Sequence, residues 1–202
     1  MNTKLPESVR KLSHALAELP SIGPRQATRL AFYLVEQGAD SIRELAKNID
    51  DLSRVKICER CFFVHQNKDA LCDICRNPAR RTDVIAIVEK ETDLISLENA
   101  DKFSGRYLIL GPIPKTGLLR DPQKLRLQGL KSFIQKELGG RAEEIVLAFN
   151  PTSAGDFHAS LLAKELGGFT KKISRLGRGL PTGGEIEFAD DETLGSALER
   201  RS

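Results

Sequence analysis

The sequence predicts an α/β protein with several domains, and three observations support this prediction. Apolar residues recur at three- and four-residue intervals over about the first fifty positions, as on helices that bury one face. All four cysteines lie in two close pairs. After residue 83, continuous apolar runs alternate with helical patterns, which is typical of a mostly parallel sheet covered on both sides. The expected parts are a helical region over 1–53, a cysteine module over 54–78, the α/β domain over 79–179 and an extended C-terminal arm over 180–202.

Three helices are predicted in the N-terminal region. The first carries leucines at helical spacing and ends near Pro20. The second begins at Pro24, a residue that suits a first helical turn, and ends near Gly38. Ser41 is the expected N-cap of the third helix.

Four strands are predicted in the α/β domain. The elements expected from the pattern are strands at 84–88, 106–110, 144–149 and 171–174, helices at 91–99, 125–138 and 154–166, and a further short strand at 185–188 in the arm. In a parallel sheet the functional edge lies at the carboxyl ends of the strands. Glu89, Gly111 and Asn150 should therefore meet in space.

The cysteines have the spacing of a tetrahedral zinc site, Cys58-x-x-Cys61 followed by Cys72-x-x-Cys75. A two-residue gap lets one tight turn aim both thiolates at a single ion. Four thiolates leave no open coordination position, so the expected Zn²⁺ is structural. The alternative is a pair of disulfides in an exported protein, but residues 1–19 contain no apolar segment that would direct export. No stretch approaches the roughly 18 apolar residues of a membrane span, so we expect a cytoplasmic protein.

The formal net charge is only +3, but the charges are unevenly distributed. Residues 52–82 and 164–182 are rich in lysine and arginine, whereas the tail from residue 183 is acidic. This distribution is compatible with a polyanionic partner. On charge alone, ordinary solvated surfaces explain it equally well.

The turn between the first two predicted helices suits a phosphate ligand. Its small residues, Gly23 among them, let backbone N–H groups approach an oxygen closely, and the next helix presents its positive N-terminal end. Arg25 and Arg29 lie one helical turn apart and would reach neighbouring phosphates. This is the helix-hairpin-helix pattern of DNA binders that read no sequence; a plain structural turn is the alternative.

A second candidate site follows the third strong strand. Ser153 and Asp156 are spaced as in a capping box, which predicts a helix start. Together with Glu89, this position resembles the Toprim domain of topoisomerases and primases, in which a Glu and an Asp-x-Asp pair hold Mg²⁺. Here the pair is replaced by Asn150 and Thr152. Because neutral side chains bind a hard dication weakly, metal-assisted phosphoryl transfer is not expected.

The order of these motifs, completed by the string Arg-Leu-Gly-Arg-Gly-Leu-Pro-Thr-Gly-Gly-Glu at 175–185, resembles the bacterial recombination mediator family RecR over essentially the full length. The resemblance implies a DNA-repair role in which the protein, with RecO and sometimes RecF, helps to load RecA onto single-stranded DNA. It implies homo-oligomers, either dimers or tetrameric rings, and association with the nucleoid. By this likeness Arg25 and Arg29 contact DNA and the four cysteines bind zinc. The surface formed by Glu89, Asn150, Thr152 and Asp156 faces a protein partner.

Some positions depart from the family pattern. Ser21 stands where the hairpin usually has a glycine, and Ala154 stands where the family usually has an acid. The roles of Lys115 and Arg120 are left open. Two other functions are kept as alternatives: an active, metal-dependent Toprim nuclease or primase, and a zinc-stabilised adaptor that does not contact DNA.

Overall fold

The computed structural model describes residues 4–114, 116–199 and 201. Lys115, whose role the sequence leaves open, lies outside these described residues. The chain divides into two compact units, one ending at Val55 and the other beginning at Lys56. In the described part of the chain, no helix is both long enough and apolar enough to cross a lipid bilayer.

The first unit is helical. Helix α1 spans Glu7–Ala17 and helix α2 spans Pro24–Asp51, followed by a single 3₁₀ turn at Leu52–Arg54. Helix α2 is broken at Gly38, where φ is 85° and ψ is 171°. The predicted helix end at Gly38 is therefore confirmed. The predicted N-cap at Ser41 is wrong, because the helix resumes directly after Gly38 and Ser41 lies inside it.

Small side chains form the contact between α1 and α2. Ala27 and Ala31 are completely buried, and Val9 of α1 is almost so. Alanines four residues apart lie on one face of a helix and let a second helix approach closely. This packing buries one stripe of α2 and leaves the rest of its surface accessible.

The second unit begins with the cysteine module. A short antiparallel ribbon joins β1, Lys56–Ile57, to β2, Val64–His65, and a single-turn helix, α3, covers Asp73–Arg76. With so little regular structure, the module depends on its turns and on whatever the cysteines bind.

A four-stranded parallel sheet forms the rest of this unit, with strand order β4-β3-β5-β6. The strands are β3 Val84–Val88, β4 Arg106–Ile109, β5 Ala142–Leu147 and β6 Thr170–Arg175, and the connecting helices are α4 Glu91–Asn99, α5 Asp121–Glu137 and α6 Ser153–Leu166. All four predicted strands and all three predicted helices of this domain are confirmed. Helix α5 begins four residues before the predicted start, at a turn in which the Gln123 side chain accepts from the Arg120 backbone N–H.

The two faces of the sheet have different cores. Along β3, Ile85 and Ile87 point into a core formed with α5 and α6. Ala86 and Val88 belong instead to a core that contains Leu94 of α4 and the four cysteines. The cysteine module therefore covers part of one face of the sheet, a place that a helix normally takes in such folds.

The C-terminal segment differs from its prediction. The strand expected at 185–188 is wrong, because Ile186–Phe188 forms a 3₁₀ turn whose apolar side chains are exposed. Helix α7, Asp191–Glu199, was not predicted. The alternation of acidic and apolar residues that favoured a strand is also compatible with one helical turn, and no neighbouring strand pairs with it in the described part of the chain.

Candidate metal centre and nucleic-acid interface

The four cysteines converge on one point. Their sulfur atoms all lie within 4.8 Å of one another, and all four side chains are buried. None of them forms a disulfide, so the exported-protein alternative has no support here. Hydrogen bonds among the four thiols lower the pKa of Cys58 and Cys72 and raise the pKa of Cys61 and Cys75. Thiols in such a cluster become thiolates when they bind a metal, because the thiolate is the metal ligand.

Tight turns aim the cysteines inward. The N–H of Phe62 donates to the carbonyl of Cys58 at 3.0 Å, and the N–H of Phe63 donates to the sulfur of Cys61 at 3.4 Å. Phe62 has a φ of 66°, which lets the chain reverse immediately after Cys61. The second pair is closed in the same way by the N–H of Arg76 and the carbonyl of Cys72, at 3.0 Å.

The donor set fits a tetrahedral ion. Zinc bound by four thiolates has Zn–S distances of about 2.3 Å, which places the sulfurs roughly 3.8 Å apart. The observed limit of 4.8 Å, with 3.4 Å between the sulfurs of Cys61 and Cys72, is close to that arrangement. Among the described residues, these cysteines are the one group of three or more potential ligands. The cluster could hold a metal ion without large movement.

The cysteine module is anchored to the sheet through its own backbone. The N–H of Ile109 donates to the carbonyl of Cys61 at 2.9 Å, and the Arg106 guanidinium donates to the carbonyl of Cys75 at 2.7 Å. The guanidinium of Arg126 lies 4.5 Å from the centre of the Phe62 ring. The tight turns that hold the cysteines are thus fixed against β4 and α5.

The structure places Arg25 and Arg29 on the exposed side of α2. Each is two residues from a buried alanine, Ala27 or Ala31, and a two-residue step rotates about 200° around a helix. Among the described residues, neither arginine has an acidic partner within ion-pair distance. Both guanidinium groups are therefore accessible to a ligand from solvent.

The turn before α2 shows the consequence of Ser21. This residue adopts a left-handed conformation with φ of 66°, whereas Gly23 has φ of −80°. Ser21 thus adopts a left-handed backbone conformation that glycine adopts more readily, at a cost of roughly 1 kcal/mol. No side chain caps α2, so the N–H groups of Arg25 and Gln26 are left for another acceptor.

At the carboxyl edge of the sheet, the strand ends meet as predicted for Glu89 and Gly111. The N–H of Gly111 donates to the carbonyl of Glu89 at 3.1 Å, and the Glu89 carboxylate accepts from the N–H of Ile113 at 3.2 Å. Asn150 follows β5, the strand that pairs with β3 on its other side, and is exposed. The three positions therefore share one edge of the sheet.

The start of α6 is capped differently from the prediction. Thr152, not Ser153, is the N-cap, and its hydroxyl accepts from the N–H of Gly155 at 3.1 Å. A side chain at Gly155 would place its Cβ 2.0 Å from the carbonyl oxygen of Asn150. The capping box at Ser153 and Asp156 is wrong, although the helix begins where it was expected. The Thr152 hydroxyl is occupied by the backbone.

Asp156 is engaged by arginines. Its carboxylate pairs with Arg175 at 2.6 Å and with Arg178, and Arg178 also reaches Glu192 of α7 at 2.6 Å. The pKa of Asp156 is lowered, first by the hydrogen bond from Arg175 and also by Arg178. The sequence drew attention to the string at 175–185 but gave no partner for its arginines. The basic charge of residues 164–182, beside an acidic tail, was the available signal.

Three family descriptions match the chain in sequence order. "RecR, helix-hairpin-helix" matches residues 9–52, "Toprim domain" matches residues 83–177, and "RecR, C-terminal" matches residues 179–202. The first of these contains Arg25 and Arg29, and the second contains Glu89 and Asp156.

Curated relatives agree over nearly the whole length. The Recombination protein RecR of Chloroflexus aggregans is 39% identical over 196 residues, covering 96% of this chain and 92% of the relative. The protein of the same name from Dehalococcoides mccartyi is 38% identical over 205 residues, covering 99% and 98%. The one from Roseiflexus castenholzii is 38% identical over 200 residues, covering 98% and 94%. With a helix-hairpin-helix region, a cysteine cluster and a Toprim domain in the same order, this chain belongs to the RecR family.

Proposed function

We propose that this chain is a non-enzymatic, DNA-binding mediator of recombination repair that acts with RecO, RecF or both to load RecA onto single-stranded DNA. Its relatives carry the name of recombination proteins, which supports the repair role. The observation that carries DNA binding is the exposed pair Arg25 and Arg29 at the uncapped start of α2.

The geometry at the start of α2 suits a nucleic-acid backbone. Free N–H groups at a helix N-terminus favour a phosphate, and two guanidinium groups one turn apart can reach adjacent phosphates. Contacts of this kind position a protein on DNA without reading bases. The binding we propose is therefore independent of sequence.

The strand-end site supports a role without catalysis. Asn150 and Thr152 supply no negative charge, and the Thr152 hydroxyl already caps α6. The nearby carboxylate of Asp156 is neutralised by Arg175 and Arg178. A hard dication needs carboxylate ligands that are free to bind it. We infer that Glu89, Asn150, Thr152 and Asp156 form a surface for a protein partner.

The cysteine cluster supports a structural zinc ion. Cys58, Cys61, Cys72 and Cys75 would hold it with all four positions filled, so the ion would supply folding free energy and no reactive ligand. The module covers one face of the sheet, where its collapse would expose Ala86 and Val88.

Exposed apolar side chains support the assembly of a homo-oligomer, which would be either a dimer or a tetrameric ring. Large apolar residues remain accessible on α2, on the 3₁₀ turn after it and on the C-terminal segment, among them Tyr33, Val35, Ile49, Leu52, Ile186 and Phe188. Where such residues form a contiguous patch, they mark protein contacts. A DNA partner also supports a cytoplasmic, nucleoid-associated location.

The test of DNA binding is a salt titration of the affinity for single-stranded DNA, measured by fluorescence anisotropy. Affinity should fall steeply with salt and differ little between sequences. Replacing both Arg25 and Arg29 with alanine should weaken binding roughly tenfold at low salt and reduce the slope of log K against log salt by about 1.4 for each bound protomer. The matched control replaces Arg43 and Arg54, which are paired with Asp40 and Asp51 of the same helix.

An equal loss of affinity in the control would contradict a specific role for the hairpin. Unchanged affinity in the Arg25 and Arg29 variant would exclude the hairpin as the contact. The enzymatic alternative is tested by incubating labelled DNA with Mg²⁺ or Mn²⁺. Product that forms with the parent protein and disappears with Glu89→Ala would replace the mediator proposal with a Toprim nuclease or primase.

A further inference from the structure

A cavity lies where the cysteine module meets β4 and α5. Its volume is about 260 Å³, which is room for roughly nine molecules the size of water. Arg60 of the module and Arg106 of β4 both line it. None of the residues that line the cavity belongs to the strand-end surface or is a cysteine.

Within the described residues, the two arginines at this cavity have no carboxylate partner. Arg106 is only 8% exposed, its one hydrogen bond is to the carbonyl of Cys75, and its Nε has no partner. The guanidinium of Arg60 lies 4.8 Å from the centre of the Phe133 ring. Within the described residues, no carboxylate lies within ion-pair distance of either arginine; Glu59, which also lines the cavity, is exposed. Arg106 makes a single hydrogen bond, and its guanidinium and that of Arg60 both face the cavity, which favours an anion at this place.

The rest of the wall is apolar and leaves room for a ligand. Phe62, Leu71 and Phe133 contribute hydrocarbon surface, and Gly129 of α5 opens onto the cavity. A Cβ added at Gly129 would meet no atom within 4 Å, so packing does not require glycine there. Glycine inside a helix costs roughly 0.5–1 kcal/mol relative to alanine. Space for a bound molecule beside Gly129 would explain why glycine stands there despite this cost.

We propose that the cavity binds a small organic anion with a flat apolar body, its carboxylate or phosphate held near Arg60 and Arg106. The apolar body would lie against the phenylalanine rings beside Gly129. Both acid groups share the chemistry that guanidinium recognises. Bound in this way, the anion would join the cysteine module to α5 and give the Nε–H of Arg106 an acceptor, which it lacks among the described residues.

The experiment titrates the zinc-loaded full chain with benzoate, phenyl phosphate and neutral benzamide by calorimetry, with the Arg106 side-chain ¹⁵N signals followed by NMR. At least one of the two anions should bind with one-to-one stoichiometry, about tenfold or more tightly than benzamide, and should shift the Arg106 signals. The tighter of the two identifies the acid group.

Three variants and one control locate the binding. Arg60→Gln should weaken anion binding about tenfold, whereas Arg76→Gln, in the same module but paired with Asp73 and outside the cavity, should not. Gly129→Leu should fill the cavity and abolish binding while leaving the unfolding temperature unchanged or higher, since leucine is a good helix former. Glu59→Gln should strengthen binding because it removes a negative charge from the rim.

The zinc content of each variant is measured in parallel. If neither anion binds saturably, if benzamide binds as well as they do, or if Gly129→Leu binds as tightly as the parent, the proposal is wrong. It is also wrong if no anion binds and Arg106→Gln releases zinc, because Arg106 would then balance the metal thiolates. Should Arg106→Gln fail to fold, the Arg60 and Gly129 variants decide the question.

Discussion

The two units of this chain bury their apolar residues very differently. In the described part of the helical unit, the buried apolar residues are Val9, Ala27 and Ala31, while Tyr33 is 55% exposed and Ile49 is 60% exposed. In the sheet unit, all five residues of β3 are buried. Both units show the apolar periodicity of their elements, but only the sheet unit has partners on both faces. Periodicity therefore indicates which side of an element is apolar and not what covers it.

This difference has a functional meaning. A unit that leaves large apolar side chains in solvent has surface available for association, which agrees with the oligomer proposed above. The sheet unit also exposes large apolar side chains, such as Leu118 and Phe188, but its two closed cores suit it to hold sites in place. In this chain the proposed DNA contacts lie on the open unit, and the metal centre and strand-end surface lie on the closed one.

Removing the zinc ion proposed above should produce the largest effect and should affect the sheet unit alone. Chelation, or Cys72→Ser, should remove the ion that we propose orders this small module, and should expose residues of β3 and β4. We expect a loss of at least about 3 kcal/mol, which lowers the unfolding temperature by roughly 6–12 °C. Calorimetry measures the loss, and hydrogen exchange resolved by residue shows where it falls.

In the chelated protein, amides of α1 and α2 should keep their protection. Equal loss of protection in both units would show that the contrast between them is wrong. An unfolding temperature unchanged by chelation would show that the cysteines do not need an ion.

Truncating one apolar side chain in each unit should sharpen the contrast. Leu147→Ala leaves a cavity in a closed core and should cost about 2–5 kcal/mol of unfolding free energy, whatever the protein concentration. Ile49→Ala removes an exposed side chain and should change the unfolding free energy of dilute protein by less than about 0.5 kcal/mol.

The same Ile49 variant should weaken self-association, measured by sedimentation equilibrium over a range of concentrations. Glu44→Ala, an exposed polar position on the same helix, is the control. Self-association that is unaffected by Ile49→Ala would place the oligomer contact elsewhere.

The sheet was predictable because its signals are local and strong. A continuous apolar run such as 84–88 has one common explanation, a strand buried on both faces, and α4 has the predicted bounds because helical periodicity covers all of it. The convergence of the four cysteines followed from their spacing alone.

The errors occurred where a local pattern has more than one solution. Ser153 and Thr152 are both good N-cap residues, and in the structure Thr152 takes this place, with its hydroxyl accepting from the N–H of Gly155. Residues 185–188 can form a strand only beside another strand, and the described sheet offers none there. The partners of Asp156 lie 19 and 22 residues further along the chain, so their pairing depends on how β6 and the segment after it are placed.

The smallest effect should come from Asp156→Asn, which tests whether the strand-end surface is held by charge. The pKa of Asp156 is lowered by Arg175 and Arg178, so its ionised form stabilises the folded protein. That stabilisation is fully present above the unfolded pKa of about 4 and is lost as pH falls through the lower folded value. Because the side chain is 39% exposed, we expect only about 0.5–1 kcal/mol.

The measurement compares denaturant unfolding of the parent and the Asp156→Asn protein between pH 7 and pH 2.5. The difference between them should be constant above about pH 5 and should shrink below about pH 4. Asp121→Asn, an exposed carboxylate at the start of α5, is the control and should show a smaller pH-dependent difference. Arg178 also joins Asp156 to Glu192, so the variant should increase amide exchange in α7 at neutral pH. If the difference in unfolding free energy grew as the pH fell, it would have the wrong sign for a stabilising carboxylate. The contacts of α7 would then not depend on the charge of Asp156.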